Sequence, residues 1–400
     1  MSEPVKIAFI GCGGIAGQHA KGYADLYKRG CRDLEYAACC DVNEANAKER
    51  AKEIAAIQGS EPKVFTDLKD LTESGVAEAA DICSPHWLHH ALAIQCLEGG
   101  LHVMVEKPIG ITIKATKKII EAGKKANRVV ATAENIRRYQ TCRAFRWAIA
   151  EKKIIGDVRF VDTRQVSMGL MNFDDYKFKW RGLKLLTGGG QIMDSGAHYA
   201  DMMQHIFGDV DEVHCVMETF DRRIIENAPI LGSKAADVED AWIATILFKN
   251  GVKASWMYSR SFPGGAMKYA RYYGSEGTMS DDKIVFHPFQ GGGSAVLADG
   301  RKMTNEEIIA AYMASLPEEE KNRLFPYGCA NGFGVQAWDF ADAIRTGRKP
   351  EMDGADGLRS KALCEACYES ATAGRAVKYD NVLSGKVCEY QKPIDEYWKI

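Results

Sequence analysis

The stretch that decides the fold lies near the beginning of the chain and reads VKIAFIGCGGIAG, at residues 5–17. Its first six residues form the short apolar run of a buried strand, and the residues after the glycine turn have helical periodicity to about Tyr27. In a dinucleotide-binding turn, Gly11 would allow the tight bend, Gly13 would let the backbone approach a pyrophosphate, and Ala16 is small enough for helix and strand to pack. The G-x-G-x-x-A spacing therefore predicts such a site. Its cofactor-binding candidates are Gly11, Gly13, Gly14, Ile15 and Ala16.

A second predicted strand, Leu34 to Cys40, ends in Asp41, in the region where an acidic residue binds the adenosine ribose. A carboxylate there accepts hydrogen bonds from the ribose hydroxyls and repels a 2′-phosphate. Asp41 is therefore a further cofactor-binding candidate, and it favours NAD over NADP. The simpler alternative is a turn before a helix, with Asp41 as the helix cap.

Strands and helices alternate from residue 5 to about residue 133, which is typical of an α/β fold with a parallel, doubly wound sheet. Ligands bind such sheets beyond the carboxyl ends of the strands. Two predicted strands end there in polar residues, one in Ser84-Pro85 and one in Glu106-Lys107-Pro108. We therefore expect residues 1–133 to form an NAD-binding Rossmann domain.

The sequence pattern changes after residue 133. Successive predicted strands, with Asn250-Gly251 between two of them, are typical of antiparallel hairpins. We expect residues 134–400 to form a C-terminal α+β domain with a large, open, mostly antiparallel sheet. The residues after Tyr379 are expected to return to the first domain.

The composition is that of an ordinary globular protein of 400 residues, with 46% hydrophobic and 26% charged residues. The 52 basic residues balance 54 acidic residues, which disfavours nucleic acid or an anionic membrane as a partner. The sequence has neither a long uncharged apolar run nor a basic, apolar leader, so we expect no membrane span and no signal peptide. The scattered cysteines suit reduced thiols in a cytoplasmic protein.

A second stretch with chemical character, GGGQIMDSGAHYAD, lies at residues 188–201. Its three glycines predict a flexible approach to a helix that runs to about Phe207. Four polar side chains would share one face of that helix: Asp194, His198, Asp201 and His205. Such a face suits a proton-handling site, a metal site or a merely solvated stripe, and its own residues favour none of the three.

The chain resembles the Gfo/Idh/MocA family of oxidoreductases over nearly its whole length. In the first domain the resemblance lies at Gly11 to Gly17, at Asp81 to Pro85 with His89, and at Glu106-Lys107-Pro108. In the second domain it lies at Trp180-Arg181, at Asp194, Gly196, His198 and Asp201, at 274–278, and at Tyr368-Glu369-Ser370. One departure is His86, because family members often carry Asn beside the nicotinamide at this position.

The resemblance implies contacts beyond the glycine turn. Further cofactor-binding residues would be Ser84, Pro85, His86, His89, Glu106, Lys107, Asn135, Trp180 and Arg181. The substrate-binding residues would be Lys107, Arg138, Tyr139, Trp180, Asp194 and His198. The open sheet would serve substrate binding on one side and subunit contact on the other, in a homo-oligomer such as a dimer, tetramer or hexamer.

The resemblance also places three catalytic residues, Lys107, Asp194 and His198, around the nicotinamide and the reacting carbon. Oxidation of a secondary alcohol needs a base for the hydroxyl proton while hydride leaves for the nicotinamide. We expect His198 to be this base and Lys107 to donate a hydrogen bond to the reacting oxygen, although the two could exchange roles. Asp194 would orient the imidazole or bind a neighbouring hydroxyl. This chemistry needs no Lewis acid, so no metal is expected.

The leading hypothesis is an NAD-dependent dehydrogenase of a ring secondary hydroxyl in a sugar, glycoside or cyclitol, with C3 of a glucoside favoured and a 3-keto sugar as product. A polar and aromatic insertion at 168–187 would accommodate a sugar or an aromatic aglycone, or, apart from Trp180-Arg181, would be a solvated surface loop. A longer insertion at 290–330 would be a lid or an oligomer arm. One alternative is a glycosidase that uses NAD to oxidise C3 transiently and then eliminates the aglycone. Another is a catalytically silent regulator that senses NAD.

Overall fold

The computed structural model describes residues 3–281 and 291–400, and the chain divides into two compact units. The first unit comprises Met1–Ile111, Ala115–Tyr139 and Pro317–Leu358. The second unit comprises Thr112–Lys114, Gln140–Leu316 and Arg359–Ile400.

Strands and helices alternate in the first part of the chain, and longer strands dominate the middle. The described strands are β1 (Val5–Ile10), β2 (Leu34–Cys40), β3 (Lys63–Phe65), β4 (Ala79–Ile82), β5 (His102–Glu106), β6 (Val130–Ala133), β7 (Val158–Val166), β8 (Val210–Glu218), β9 (Ile224–Ala228), β10 (Gly232–Ala235), β11 (Ala241–Phe248), β12 (Lys253–Ser259), β13 (Met267–Gly274), β14 (Gly277–Asp281), β15 (Ser294–Leu297), β16 (Lys302–Met303) and β17 (Val377–Lys378). The described α-helices are α1 (Gly14–Lys28), α2 (Glu44–Gln58), α3 (Leu68–Ser74), α4 (His89–Glu98), α5 (Ile113–Ala126), α6 (Gln140–Arg146), α7 (Tyr176–Lys179), α8 (Lys184–Thr187), α9 (Gly196–Phe207), α10 (Asn305–Ser315), α11 (Glu318–Leu324), α12 (Gly332–Thr346), α13 (Gly354–Ala373), α14 (Tyr379–Ser384) and α15 (Lys392–Trp398).

The sheet of the first unit contains six described strands, all parallel, in the order β3-β2-β1-β4-β5-β6. The strand order reverses between β1 and β4, and the carboxyl ends of strands at such a reversal form the binding crevice of doubly wound folds. The glycine turn after β1 and Ser84 after β4 therefore lie at the edge where a dinucleotide is expected. The predicted parallel α/β fold is confirmed.

Apolar side chains fill both faces of this sheet, because helices cover it on both sides. On one face, Phe9 of β1 packs with Tyr23 of α1 and Phe340 of α12. On the other face, Val103 of β5 packs with Leu97 of α4. The polar strand ends thus extend from a sheet whose two faces are covered by buried apolar side chains.

Helix α12 belongs to the first unit, although the sequence places its residues in the second domain. A Cβ on Gly22 would lie 2.6 Å from the Gly334 nitrogen, so α1 and α12 approach closely only because both positions are glycine. Buried Val335 and Phe340 then complete the core of the first unit. The compact units therefore differ from the predicted ranges 1–133 and 134–400, since an apolar helix face does not reveal from its sequence which sheet it covers.

The C-terminal residues contact a short segment that lies inside the predicted first domain. Gln391 Oε1 accepts a hydrogen bond from the Ile113 N–H at 2.8 Å, and the Thr112 hydroxyl donates to Asp395 at 2.6 Å. Thr112–Lys114 clusters with the tail in the second unit because of such contacts.

The main sheet of the second unit contains nine described strands in the order β16-β15-β14-β13-β7-β12-β11-β8-β17. Strands β7 and β12 pair in parallel, and the other neighbours pair antiparallel. The hairpin of β11 and β12 turns at Gly251, whose φ of +92° suits glycine. The prediction of a C-terminal α+β part with a mostly antiparallel sheet is confirmed.

Helix α9 begins at Gly196, and all its residues except His205 are buried. Asp194 precedes the helix, in a turn where its N–H donates to the Gly190 carbonyl at 3.0 Å. The predicted helical face is therefore wrong for Asp194, because the helix begins after it.

The insertion predicted at 290–330 begins outside the described residues, and its remainder divides between the two units. Strands β15 and β16 extend the edge of the nine-stranded sheet. Helix α10 opens with a capping box between Thr304 and Glu307.

None of the described helices has both the length and the apolar composition that spanning a lipid bilayer requires.

Candidate active site

Two kinds of glycine make up the turn between β1 and α1. Gly11 has a φ of +86°, and a Cβ on it would lie 2.9 Å from the Cys83 carbonyl oxygen, so the bend has no room for a side chain. Cβ atoms on Gly13 and Gly14 would meet nothing within 4 Å, so the surface above these residues is open. The first N–H groups of a helix have no partner inside it, and α1 begins here without a side-chain cap among the described residues. This turn can hold an anion.

Asp41 follows β2 and binds the glycine turn directly. Its Oδ2 accepts the Cys12 N–H at 2.8 Å, and its Oδ1 accepts the Asn43 N–H at 2.8 Å. Helix α2 is capped by Asn43, whose side chain accepts the Ala45 N–H at 3.1 Å. The alternative in which Asp41 is the helix cap is therefore wrong.

His89 joins the two strand ends that the sequence singles out. Its Nδ1 lies 2.8 Å from the Pro108 carbonyl oxygen, and its Nε2 lies 2.7 Å from the Ser84 carbonyl oxygen. Burial lowers the pKa of His89, although both carbonyl contacts act in the opposite direction. A neutral imidazole has one N–H and can donate to only one of these two carbonyl oxygens at a time. The ring lies between the turn after β4 and the turn after β5. His86 is also buried, with its ring 5.7 Å from that of His89.

Lys107 is half-buried, and its backbone is held by the residue before it. Glu106 Oε2 accepts the Lys107 N–H at 3.0 Å, and Glu106 Oε1 lies 2.9 Å from Nε2 of His19 on α1. The other ring nitrogen of His19 lies 2.9 Å from Asp81 Oδ2, which also accepts the Tyr36 hydroxyl at 2.9 Å. We call the four side chains of His19, Tyr36, Asp81 and Glu106 the His19 cluster.

The sequence analysis does not identify His19 or Tyr36 as site residues, although the sequence itself contains one signal of the His19 cluster. Asp81 interrupts the otherwise apolar, buried strand β4. His19 lies on the buried face of α1 together with Ala16 and Tyr23. A buried charge needs a partner, so Asp81 predicts that one exists, but only the fold shows which residue it is.

The triple-glycine segment of the second unit is tightly packed. Glu239 accepts the Gly190 N–H on Oε2 and the Ile192 N–H on Oε1, each at 2.8 Å. The Tyr368 hydroxyl donates to Glu239 Oε1 at 3.0 Å. A Cβ on Gly190 would lie 2.5 Å from the Glu239 carbonyl oxygen, and one on Gly189 would clash with the Tyr368 hydroxyl. The predicted flexible approach is therefore wrong, because these glycines are required by packing.

Asp194 pairs with Arg181, whose guanidinium also lies 4.8 Å from the centre of the Trp180 ring. The structure thus brings together three of the predicted site residues of the second unit. His198, the fourth, lies in the first turn of α9 and is 5% exposed. Gly196 lets the start of this helix approach Trp256, since a Cβ there would lie 2.9 Å from the indole.

Arg138 is 1% exposed, and its guanidinium pairs with Asp339 at 2.9 Å and with Glu351 at 3.3 Å. Both partners belong to the first unit. These contacts favour a structural role for Arg138 over the predicted substrate contact. Asn135, which is buried, and the half-buried Tyr139 flank the short 3₁₀ segment that carries Arg138.

The predicted site residues divide between the two units. The first unit holds Gly11, Gly13, Gly14, Ile15, Ala16, Asp41, Ser84, Pro85, His86, His89, Glu106, Lys107, Asn135, Arg138 and Tyr139. The second unit holds Trp180, Arg181, Asp194 and His198.

Two family profiles of Gfo/Idh/MocA oxidoreductases match the chain. The profile of the NAD-binding Rossmann fold matches residues 5–134, and the profile of the C-terminal alpha/beta domain matches residues 148–379.

The chain is also similar to individual proteins. Levoglucosan dehydrogenase of Pseudarthrobacter phenanthrenivorans is 27% identical over 353 residues, which are 82% of this chain and 86% of that protein. D-glucoside 3-dehydrogenase of Escherichia coli is 25% identical over 256 residues, which are 62% of this chain and 68% of that protein. The solved structure of a levoglucosan dehydrogenase in complex with NADH and levoglucosan has a TM-score of 0.74 at 22% identity, covering 94% of this chain and 99% of that one. This last likeness shows the fold.

Proposed function

The chain belongs to the Gfo/Idh/MocA family of oxidoreductases, and from this premise we propose that it oxidises C3 of a glucoside to a 3-keto sugar, with NAD as the hydride acceptor. The observation that carries the proposal is the match of both parts of the chain to this one family. It makes the protein an NAD-binding oxidoreductase of sugar or cyclitol CH–OH groups. The proposal of C3 in a glucoside is more specific than this reaction class, and the similarity to a D-glucoside 3-dehydrogenase supports it.

The first unit fits NAD at three places. Gly13 and Gly14 leave open space for a pyrophosphate at the start of α1. Asp41 stands beside that turn, where a ribose would bind. The Ser84 hydroxyl is buried at the end of β4 and has no hydrogen-bond partner among the described residues, so a ligand there would satisfy it. When bound, NAD would supply the acceptor for the hydride.

We assign the acid–base roles to Lys107, Asp194 and His198. His198 would take the hydroxyl proton, and Lys107 would donate a hydrogen bond to the same oxygen as negative charge develops on it. Asp194 would bind a neighbouring hydroxyl or orient the imidazole, with Arg181 as its ion-pair partner. Lys107 belongs to the first unit, and Asp194 and His198 belong to the second.

The second unit offers groups for the rest of the substrate and for assembly. Trp180 would present an aromatic face to a sugar ring, and the exposed Tyr176 would contact an aglycone. The nine-stranded sheet carries exposed Val216 and Ile243 as cross-strand neighbours, which supports subunit contact in a homo-oligomer. We place the enzyme in the cytoplasm, since its cysteines are free thiols.

The test is to incubate the purified protein with glucosides, free sugars and inositols in the presence of NAD or NADP. Absorbance of the reduced cofactor and the mass of the products are followed together. We expect reduction of NAD with a glucoside and a product that has lost one molecule of hydrogen. Free aglycone without accumulating NADH would support the glycosidase alternative, which no relative described above favours. If no polyol reduces either cofactor, the proposal fails.

A further inference from the structure

The His19 cluster is a buried group of charges that the proposed reaction does not use. His19 is 1% exposed, Asp81 is 0% exposed and Glu106 is 6% exposed. Each ring nitrogen of His19 lies 2.9 Å from a carboxylate oxygen, Nδ1 from Asp81 and Nε2 from Glu106. The other groups that face the ring are the Cys83 thiol at 3.6 Å, the Gln336 amide at 3.2 Å and the Phe333 ring at 5.3 Å.

This arrangement favours a charged His19. Both ring nitrogens face carboxyl oxygens, and only the imidazolium carries an N–H on each of them. Burial on its own lowers the pKa of His19, but the charge and the hydrogen bond of Asp81 outweigh it, with help from Cys83, and the pKa stands well above its usual value. The ring is therefore a buried cation that lies between two carboxyl groups. As pH rises through the raised pKa, the stability that this cation contributes is lost.

Glu106 connects this cation to the backbone of Lys107. One carboxylate oxygen faces His19 at 2.9 Å, and the other accepts the Lys107 N–H at 3.0 Å. With both oxygens engaged, the carboxylate has one orientation, and the peptide that follows β5 is held by it. Removal of the imidazolium would leave the buried Glu106 carboxyl without its partner on that side, so the carboxyl could change its orientation.

We propose that His19 is a positioning residue for Lys107, which it orients through the Glu106 carboxylate. The proposal rests on the role given to Lys107 under the proposed function. His19 itself need touch neither substrate nor NAD.

A metal site is the competing interpretation of the same cluster. Donor atoms of His19, Asp81 and Cys83 lie within 4.8 Å of one another. A metal bound by Nδ1 would take the place of the proton between that nitrogen and Asp81, and Nε2–H could still donate to Glu106. The separation of 2.9 Å between Nδ1 and Asp81 Oδ2 is that of a direct hydrogen bond. The contacts therefore favour an ion-pair network.

The experiment compares His19→Gln with Tyr36→Phe in the full-length protein. Tyr36 is equally buried and bonds to Asp81, but it does not touch Glu106, so its loss probes the structural part of the cluster alone. The reactivity of the Lys107 amine toward an acylating reagent is measured across pH by peptide mass spectrometry, with exposed Lys153 as the internal reference. Values of kcat and of KM for NAD are measured on the same samples.

We expect His19→Gln to displace the pH profile of Lys107 labelling and to lower kcat by about tenfold to hundredfold, the effect of a misplaced catalytic group. Tyr36→Phe should lower the melting temperature while the labelling profile and kcat stay close to those of the natural protein. If both variants lose only melting temperature and keep the natural labelling profile, the cluster is merely structural and the proposal is overturned.

Should His19→Gln fail to fold, Glu106→Gln removes the charge that faces His19 while an amide oxygen can still accept the Lys107 N–H. Displaced labelling supports the proposal, and natural labelling refutes it. Because the labelling of Lys107 needs no turnover, failure of the positioning role can be distinguished from failure of the proposed reaction. Natural labelling in an active enzyme defeats the positioning role, whereas displaced labelling in a protein that oxidises no polyol defeats the proposed reaction.

Discussion

Two backbone segments carry the proposed acid–base residues, and buried carboxylates hold them in opposite ways. Ahead of Lys107, Glu106 faces the imidazolium of His19. Ahead of Asp194, Glu239 accepts two backbone N–H groups and the hydroxyl of Tyr368. Burial raises the pKa of Glu239 to about 7, against the opposing effect of these hydrogen bonds. One segment is held by an ion pair and the other by dipoles.

This difference between the contacts of Glu106 and Glu239 predicts which part of the protein is sensitive to pH. A carboxyl group that faces only dipoles in a buried site takes up a proton more readily than an exposed one does. We therefore expect the segment ahead of Asp194, which Glu239 holds, to be sensitive to pH near 7.

The largest effects should come from the side chains that the two segments carry. Lys107→Ala and His198→Ala should each lower kcat by about 10² to 10⁴, the contribution of a positioned acid or base. Added imidazole should restore part of the activity of the His198 variant alone, if His198 is the base. NAD binding and the melting temperature serve as folding controls. A loss below about fivefold in either variant would remove that residue from the proposed chemistry.

The next largest effects are expected from alanine at two glycines: Gly190, which packing requires, and Gly13, which leaves an open surface. A Cβ on Gly190 would lie 2.5 Å from the Glu239 carbonyl oxygen, so Gly190→Ala should lower the free energy of unfolding by about 1–3 kcal/mol. In Gly13→Ala the added Cβ would meet nothing within 4 Å, so stability should hold while the affinity for NAD falls by about tenfold. Chemical denaturation and fluorescence titration with NAD measure the two quantities. Equal destabilisation by both substitutions would contradict the contrast.

Glu239→Gln tests the segment held by dipoles. The amide can accept only on its oxygen, so one donor ahead of Asp194 loses its partner, and kcat should fall by about tenfold. The free energy of unfolding should also change its dependence on pH. Because the folded pKa of Glu239 is raised, its contribution is present below the usual glutamate range and is lost as pH rises through about 7.

The natural protein should therefore lose stability relative to Glu239→Gln as pH rises through that window. Denaturation curves at several pH values check this. Parallel pH profiles of the two proteins would show that Glu239 does not titrate there.

The smallest effect on stability is expected from the pair of Arg181 and Asp194. Its side chains are 31% and 21% exposed, so Arg181→Ala should cost only about 0.2–1 kcal/mol. Since Asp194 would then lose its counterion, KM for the glucoside should change more than the melting temperature does. A large drop in melting temperature without a change in KM would make the pair structural.

The sequence predicts the first unit better than the second, and the reason is local. The positions of Gly11, Gly13 and Asp41 can be predicted from the residues next to them in the sequence. The motif to which they belong consists of a buried strand, a glycine turn and an acidic residue after the next strand, and it spans a short stretch of the chain. The packing of Gly190 on Glu239 joins residues far apart in the chain, and no local pattern contains it. For the same reason, the sequence pattern predicts Asp194 on a helix that in fact begins at Gly196.

Buried polar networks are the part that sequence reasoning misses. Because Asp81 lies in an apolar strand, the sequence indicates that it has a polar partner. Only the fold identifies His19 and Tyr36 as the partners, because it brings α1, β2 and β4 together. Likewise, nothing near Arg138 indicates that Asp339 and Glu351 bind it, because α12 returns to the first unit from much later in the chain.

The most direct test of the central claim, oxidation at C3 by NAD, uses a glucoside that carries deuterium at C3. The enzyme is supplied with this substrate, and the isotope content of the nicotinamide is read by mass spectrometry. The account predicts that deuterium passes to the nicotinamide, with a slowed rate, and that a 3-keto glucoside accumulates. Deuterium-free NADH, or aglycone released while the deuterium stays in the sugar, would contradict it.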